Sequence, residues 1–300
     1  MRGNYWVLIS ELFQPSYNGL IKDTYVEERL SKALQSPRTI DDCMFVTSES
    51  GPFKYVAHND DEKICAIYLL TDPDKRVEIH FVNLDLPCES FALISAVDGW
   101  ELNGELFPSA DDHPLSLEQR VDEFCGQKGP RIFQSSQNVA LIRYRVPKVG
   151  KGFTIYVVYP KNPMPCNVLA VSSSEAFTLR NYGNRVNCTY TAVYSSIVEI
   201  PSLAVGPFDL SFSRFLQDGI SHKCNERSPQ DQVLIGGSYG LDSSKIQILD
   251  RICGVKTKSD FREIVEYGMT SVRLISSGLF NNFVTVQFKP IGNEALSFNF

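Results

Sequence analysis

Four groups of residues in this chain could do chemistry, and their spacing tests each one. Gly236-Gly237-Ser238-Tyr239-Gly240 matches G-x-S-x-G, the turn that lifts a nucleophilic serine above an α/β sheet. That chemistry needs an acid and then a histidine later in the chain, whereas His58, His80, His113 and His222 all precede Ser238. The motif therefore reads as a glycine-rich β-turn. Asp111-Asp112-His113 supplies metal-ligand residue types, but three consecutive residues of regular backbone do not converge on one ion, and the following Pro114 marks a loop. Solvated loop acids are expected there. Asn59-Asp60-Asp61-Glu62-Lys63 likewise reads as a charged, solvated turn. With no phosphate-cradling glycine loop, the chain assembles no acid, base and nucleophile. The expectation is a protein that is not an enzyme, with no cofactor and no metal.

The fourth group is the cysteines: Cys43, Cys65, Cys88, Cys125, Cys166, Cys188, Cys224 and Cys253. Zinc clusters take ligands two to four residues apart from tight turns, and no pair here is that close. The gaps form a pattern instead. Cys43 to Cys65 and Cys166 to Cys188 both span 22 positions, and Cys166 lies 123 after Cys43. Two similar modules with four cysteines each are implied. Eight cysteines allow 105 pairings, and the repeat favours neighbours: 43–65, 88–125, 166–188 and 224–253. Each loop would constrain the unfolded chain by roughly 3 kcal/mol in the entropy model. Asn187-Cys188-Thr189 is a glycosylation sequon, with Asn187 as the acceptor. Disulfides and a sequon belong to the same oxidising compartment. Arg2 and then Tyr5–Ser10 begin like a signal peptide, but Glu11 ends the apolar run after about six residues, short of the roughly 7–15 needed. Secretion is expected without a convincing export signal.

The elements that would position these residues are strands. Thr24 and Glu27 have capping-box spacing, and Val26, Leu30, Ala33 and Leu34 follow at helical intervals until Ser36-Pro37, so an amphipathic helix is predicted near Thr24–Gln35. From Cys43 onward the period is two. Val77, Ile79 and Phe81 alternate with more polar neighbours, and Phe91–Val97, Val139–Val146, Phe153–Val158, Ala176–Leu179, Cys188–Tyr194, Ile197–Ile200, Val233–Ile235, Val272–Ile275 and Phe283–Phe288 are β-branched and aromatic. Short helices are predicted at Leu115–Phe124 and Ser259–Glu266. Many short strands without long alternating helices mean β-sandwiches, not βαβ units. Pro160, Pro163 and Pro165 make a stiff connection. The predicted layout is an N-terminal segment 1–42, a first module 43–160, a linker 161–165 and a second module 166–300, with the modules in a fixed orientation.

Composition agrees. In 300 residues, 43% are hydrophobic and 21% charged, enough apolar residues for a buried core. A net charge of −6 argues against nucleic acid as partner. Ile64–Leu70, among the longest apolar runs, is about a third of a membrane span, so no membrane partner is expected.

Several segments carry a family likeness. Phe81–Leu84, Cys88 and Phe91–Gly99, with Asn138–Tyr144 and Gly152–Tyr156, resemble a CUB domain, which implies a jelly-roll β-sandwich. Val97–Ser109 continuing to Asp112–Leu115 resembles the corticotropin-releasing factor binding protein family, as do Ser135–Ala140, Pro165–Val168, Asn187–Thr189 and Val272–Gly278. The likeness runs from about Cys43 to Phe288. It implies an all-β chain of two tandem CUB-like sandwiches, secreted and glycosylated, that sequesters a corticotropin-releasing-factor-like peptide hormone and limits receptor signalling. The rival class is a CUB adhesion or complex-assembly protein.

The chain departs from the family in three places, and from calcium-binding CUB domains in two more. Tyr267 stands near the expected ninth cysteine, so a fifth pair is missing. The segment before Cys43 carries one arginine, Arg38, where vertebrate members are arginine-rich, and Phe45 replaces an acid just after that cysteine. Phe91 stands where calcium-binding CUB domains carry Asp. Asp231 is present in the second module, but Ser276-Ser277 replace a second carboxylate, so no calcium site is expected in either module. Ligand contacts are expected between the N-terminal segment and module one, at Arg38, Asp41 and Asp42.

Overall fold

The computed structural model describes residues 36–126, 131–170, 175–206, 219–222, 224 and 230–291. The predicted helix Thr24–Gln35 lies outside the described residues. The regular structure of the described residues is almost all strand and builds two tandem β-sandwiches.

In the first sandwich one sheet runs in the order Arg38–Thr39, Gly51–Val56, Gly152–Val158, Glu78–Asp85 and Arg131–Gln134. The other runs Met44–Thr47, Cys65–Leu70, Val139–Arg145, Leu93–Asp98 and Val121–Phe124. The period-two pattern sends alternate residues inward. Phe53, Ile79, Phe81 and Ile155 from one sheet meet Ile67, Ile94, Ile142 and Tyr144 from the other in one buried cluster.

The second sandwich repeats the plan with one long strand shared between its layers. One layer runs Val168–Leu169, Cys188–Ala192, Met269–Ile275, Gln232–Ser238 and Gln247–Lys256. The far end of Gln247–Lys256 continues into Ser196–Val205, Phe283–Pro290 and Phe177–Arg180. The crossover falls at Gly254, whose φ is +107° and where a Cβ would lie 2.6 Å from the Gly219 carbonyl oxygen. Only glycine passes there without strain.

Of the two short helices predicted, one is present and one is corrected. Leu115–Phe124 holds a short 3-10 helix, Leu117–Arg120, followed by the strand Val121–Phe124. Ser259–Glu266 contains a strand, Phe261–Val265, antiparallel to Ser196–Ile200. Phe261 and Val265 face the second core while Arg262 and Ile264 are exposed, so a period of two won over helical spacing. The four disulfides join neighbours: Cys43–Cys65, Cys88–Cys125, Cys166–Cys188 and Cys224–Cys253. The two 22-residue loops close at the same Cα separation, 4.6 Å.

The sandwiches share a seam. Leu70, Phe107 and Val139 of the first pack with Leu169 and Leu241 of the second. Asn138 works as a backbone substitute. Its Nδ2 donates to the carbonyls of Thr71 and Leu169, both at 2.8 Å, and its Oδ1 accepts from Leu169 N at 2.9 Å. Asp112, with a fully buried side chain, accepts from Arg273 Nε at 2.8 Å, Ser243 Oγ at 2.8 Å and Thr189 Oγ1 at 2.9 Å. In the connection, Asn162 N donates to Asp74 O at 2.7 Å and Asn162 Nδ2 to Ser136 O at 3.1 Å. Hydrogen bonds as well as proline ring closure fix that segment.

Removing one partner of a buried, hydrogen-bonded ion pair strands the other charge, which costs about 3–5 kcal/mol. Asp112→Ala should therefore destabilise the folded chain by that order in urea titration. A change below about 1 kcal/mol would show that the pair does not hold the seam.

Candidate functional site

The catalytic motif fails structurally as well as in chain order. Gly236, Gly237 and Ser238 end a strand, and Ser238 Oγ donates to the Gly240 carbonyl at 2.6 Å. All three glycines have close-approach roles, Gly236 lying against the Gln247 carbonyl. A Cβ on Gly237 would overlap the Tyr267 ring, and one on Gly240 would overlap the Glu105 carboxylate from the first sandwich. Glu105 is also held by Lys245 Nζ at 3.3 Å and by the amide of Asp242 at 3.3 Å. The motif is a seat for the neighbouring module, not a nucleophile elbow.

Asp111-Asp112-His113 is not a solvated loop, as the sequence suggested. Asp111 is exposed, but Asp112 and His113 are buried. His113 Nδ1 accepts from the amide of Leu115 at 3.0 Å, so the ring carries its proton on Nε2, which donates to Asp98 Oδ2 at 3.1 Å. Asp98 is the centre of this knot. Its carboxylate also accepts from Ser135 Oγ at 2.7 Å, Ser136 N at 2.8 Å, Ser136 Oγ at 2.6 Å and Gln137 Nε2. Arg120, buried beneath, gives Nε and Nη2 to the Asp98 carbonyl and Nη1 to Pro108 O, all within 3.1 Å. These groups are saturated with partners, which suits scaffolding and leaves no lone pair to attack or abstract.

The structure separates the three predicted contact residues. Arg38 lies on the first edge strand, where its guanidinium pairs with Glu49 and sits 5.2 Å from the Phe53 ring centroid. Asp41 and Asp42 lie exposed in the turn that carries the chain from one sheet edge to the other. Buried Ile40 anchors that crossing. On the next strand Phe45 turns inward, its ring 5.9 Å from Phe53, and packs against the core. Met44 and Val46 turn outward and are exposed.

That outward face continues across the sheet. Register aligns Met44, Ala66, Arg143 and Ser95 in one row and Val46, Tyr68, Leu141 and Val97 in the next. The hairpin formed by Trp100–Leu102 and Glu105–Phe107 covers one end of the face. Trp100 sets its ring edge-on to Tyr68 at 5.3 Å and gives Nε1 to the carbonyls of Leu69 and Ala140. The other end stays open around Met44 and Ile64, which are 63% and 67% exposed. The sequence pointed to the segment before Cys43 and not to this face. Its only sequence signal was the outward half of the strand alternation, which is indistinguishable from ordinary surface until the sheet order is known.

Burial alone would raise the Asp98 pKa, but the hydrogen bonds from His113, Ser135 and Ser136 outweigh it and hold the carboxyl below its usual range. A group with a lowered folded pKa stabilises the fold above its unfolded pKa, about 3.9, and loses that contribution as pH falls through the folded value. Urea midpoints should thus drop as pH falls below about 4, and Asp98→Asn should be less stable at pH 7 and flatter across that acid limb. Parallel acid limbs for the two proteins would contradict the assignment.

Comparison with known proteins places these features. The family model for the corticotropin-releasing factor binding protein N-terminal domain matches residues 35–161, and the model for the C-terminal domain of the same protein matches residues 168–297. The human corticotropin-releasing factor-binding protein is 31% identical over 253 residues, covering 83% of this chain and 75% of the human protein. The Xenopus laevis protein of the same name is 34% identical over 257 residues, covering 84% and 77%. Among solved structures, the CUB1-EGF-CUB2 domains of rat MASP-1 align at 12% identity and a TM-score of 0.27, covering 81% of this chain and 99% of that one. With both sandwiches matched by consecutive family models, the chain belongs to the corticotropin-releasing factor binding protein family.

Proposed function

We propose that this chain is a secreted, non-catalytic binder that takes up a corticotropin-releasing-factor-like peptide hormone and withholds it from its receptors. Family membership supports the ligand class. Four disulfides support an oxidising, extracellular setting. Asn187 is the proposed glycan acceptor. Its side chain is half-buried and its Nδ2 lies 3.4 Å from the Asp111 carbonyl.

The observation that carries the binding reading is the exposed apolar strand Met44–Thr47 at a sheet edge, directly after Asp41 and Asp42. An amphipathic helical peptide needs an apolar floor and a polar rim. Met44, Val46 and Ile64 would form the floor, with Arg38, Asp41 and Asp42 at the rim. Such a floor needs no moving parts, since the core and the Cys43–Cys65 disulfide already fix the strand.

Sequestration requires a Kd near or below the binder concentration, on the order of nM. Calorimetric titration of the chain with corticotropin-releasing factor should give one site in that range, and excess chain should suppress receptor activation by the peptide. Met44→Asp should weaken binding by about tenfold or more, as expected for a central apolar contact. Absence of heat, or only millimolar binding, would overturn the function. Unchanged affinity for Met44→Asp would move the site elsewhere.

A further inference from the structure

Two arginines of the first sandwich, Arg76 and Arg143, have an Nε shielded from water without a hydrogen-bond partner, and Arg143 is the one on a strand of the outward face. Arg120 places three donors on carbonyls within 3.1 Å. Arg131 forms a two-point pair with Asp122 at 2.9 and 3.0 Å. Arg143, in the middle of the outward face, reaches Ser95 Oγ only at 3.5 Å and Glu101 Oε2 only at 3.7 Å. Its Nε is shielded from water and has no hydrogen-bond partner. A guanidinium presents its donors as a planar fork that matches a carboxylate in two parallel bonds. Here the fork is held on a sheet, beside Met44 and Ala66 in the same row, with most of its capacity unused. Buried donors in native proteins almost always find a partner, so an unused one on a binding face calls for an explanation.

We infer that Arg143 is a specificity residue that receives an Asp or Glu side chain projecting from the edge of the peptide's apolar stripe. The inference rests on the peptide-binding reading above and adds the chemistry of one contact. The loose Glu101 contact can be exchanged without breaking a tight bond. Arg145, opposite the exposed Ile64 end of the same sheet, is already engaged: its Nε donates to the Phe91 carbonyl at 2.9 Å and its guanidinium lies over the Phe91 ring. It contributes positive potential to that end of the face while Arg143 makes the bidentate contact.

The test is a double-mutant cycle on the full chain, with corticotropin-releasing factor as the probe. The peptide's Asp and Glu residues are changed one at a time to Asn and Gln, and each peptide is titrated against the unaltered chain and against Arg143→Gln. Arg143→Gln should weaken the unmodified peptide about tenfold or more, one amide peptide should lose the same factor on the unaltered chain, and combining the two should cost nothing further. The peptide series on the unaltered chain needs no variant to fold, and a thermal melt checks Arg143→Gln. Binding of every amide peptide within twofold of the original would overturn the inference while leaving the peptide-binding function standing. So would an affinity loss in Arg143→Gln that no amide peptide reproduces. Failure of the unaltered chain to bind the unmodified peptide would overturn both.

Discussion

A carboxylate removed from water must find donors or neutralise, and two carboxylates in this chain organise much of what surrounds them. Asp98 and Asp112 lie at the two ends of the segment that contains the Trp100–Phe107 hairpin. Asp98 ties one end to the Ser135–Gln137 loop, while Arg120 holds its backbone from below. Asp112 ties the other end to Arg273, Ser243 and Thr189 of the second sandwich. The hairpin between them is therefore clamped at both ends. It gives Phe107 to the seam, and Trp100 and Glu101 to the end of the outward face. One set of buried charges thus sets the relation of the two modules and shapes the wall of the proposed binding face.

The fold was legible because its two strongest signals are periodic. The matched 22-residue cysteine gaps gave the module repeat and the disulfide pairing, and alternation placed the long strands within a few residues of their ends. Ser259–Glu266 misled because short apolar spacings fit a helix and a strand equally. Sheet pairing decided the case, and its pairing partner lies far away in sequence. Asp112 and His113 misled for a related reason. A loop rich in acids reads as solvated unless its counter-charge is known, and Arg273 lies 161 positions away.

The site was less legible than the fold. Arg38, Asp41 and Asp42 were proposed from the character of the segment before Cys43, and all three are exposed there. Arg143 gave no local signal. Its meaning depends on what it fails to touch, which only the placement of Ser95 and Glu101 reveals. Phe45 shows the converse: a residue beside the proposed face turns inward and packs against the core.

In the proposed function the peptide is captured on the first sandwich, at the side where the chain enters it. Hydrogen exchange of backbone amides, followed with and without saturating corticotropin-releasing factor, reads that location directly. New protection is expected in Arg38–Thr47 and Ile64–Tyr68, with the second sandwich unchanged away from the seam. Protection confined to the second sandwich, or none in the Met44–Thr47 strand, would contradict it.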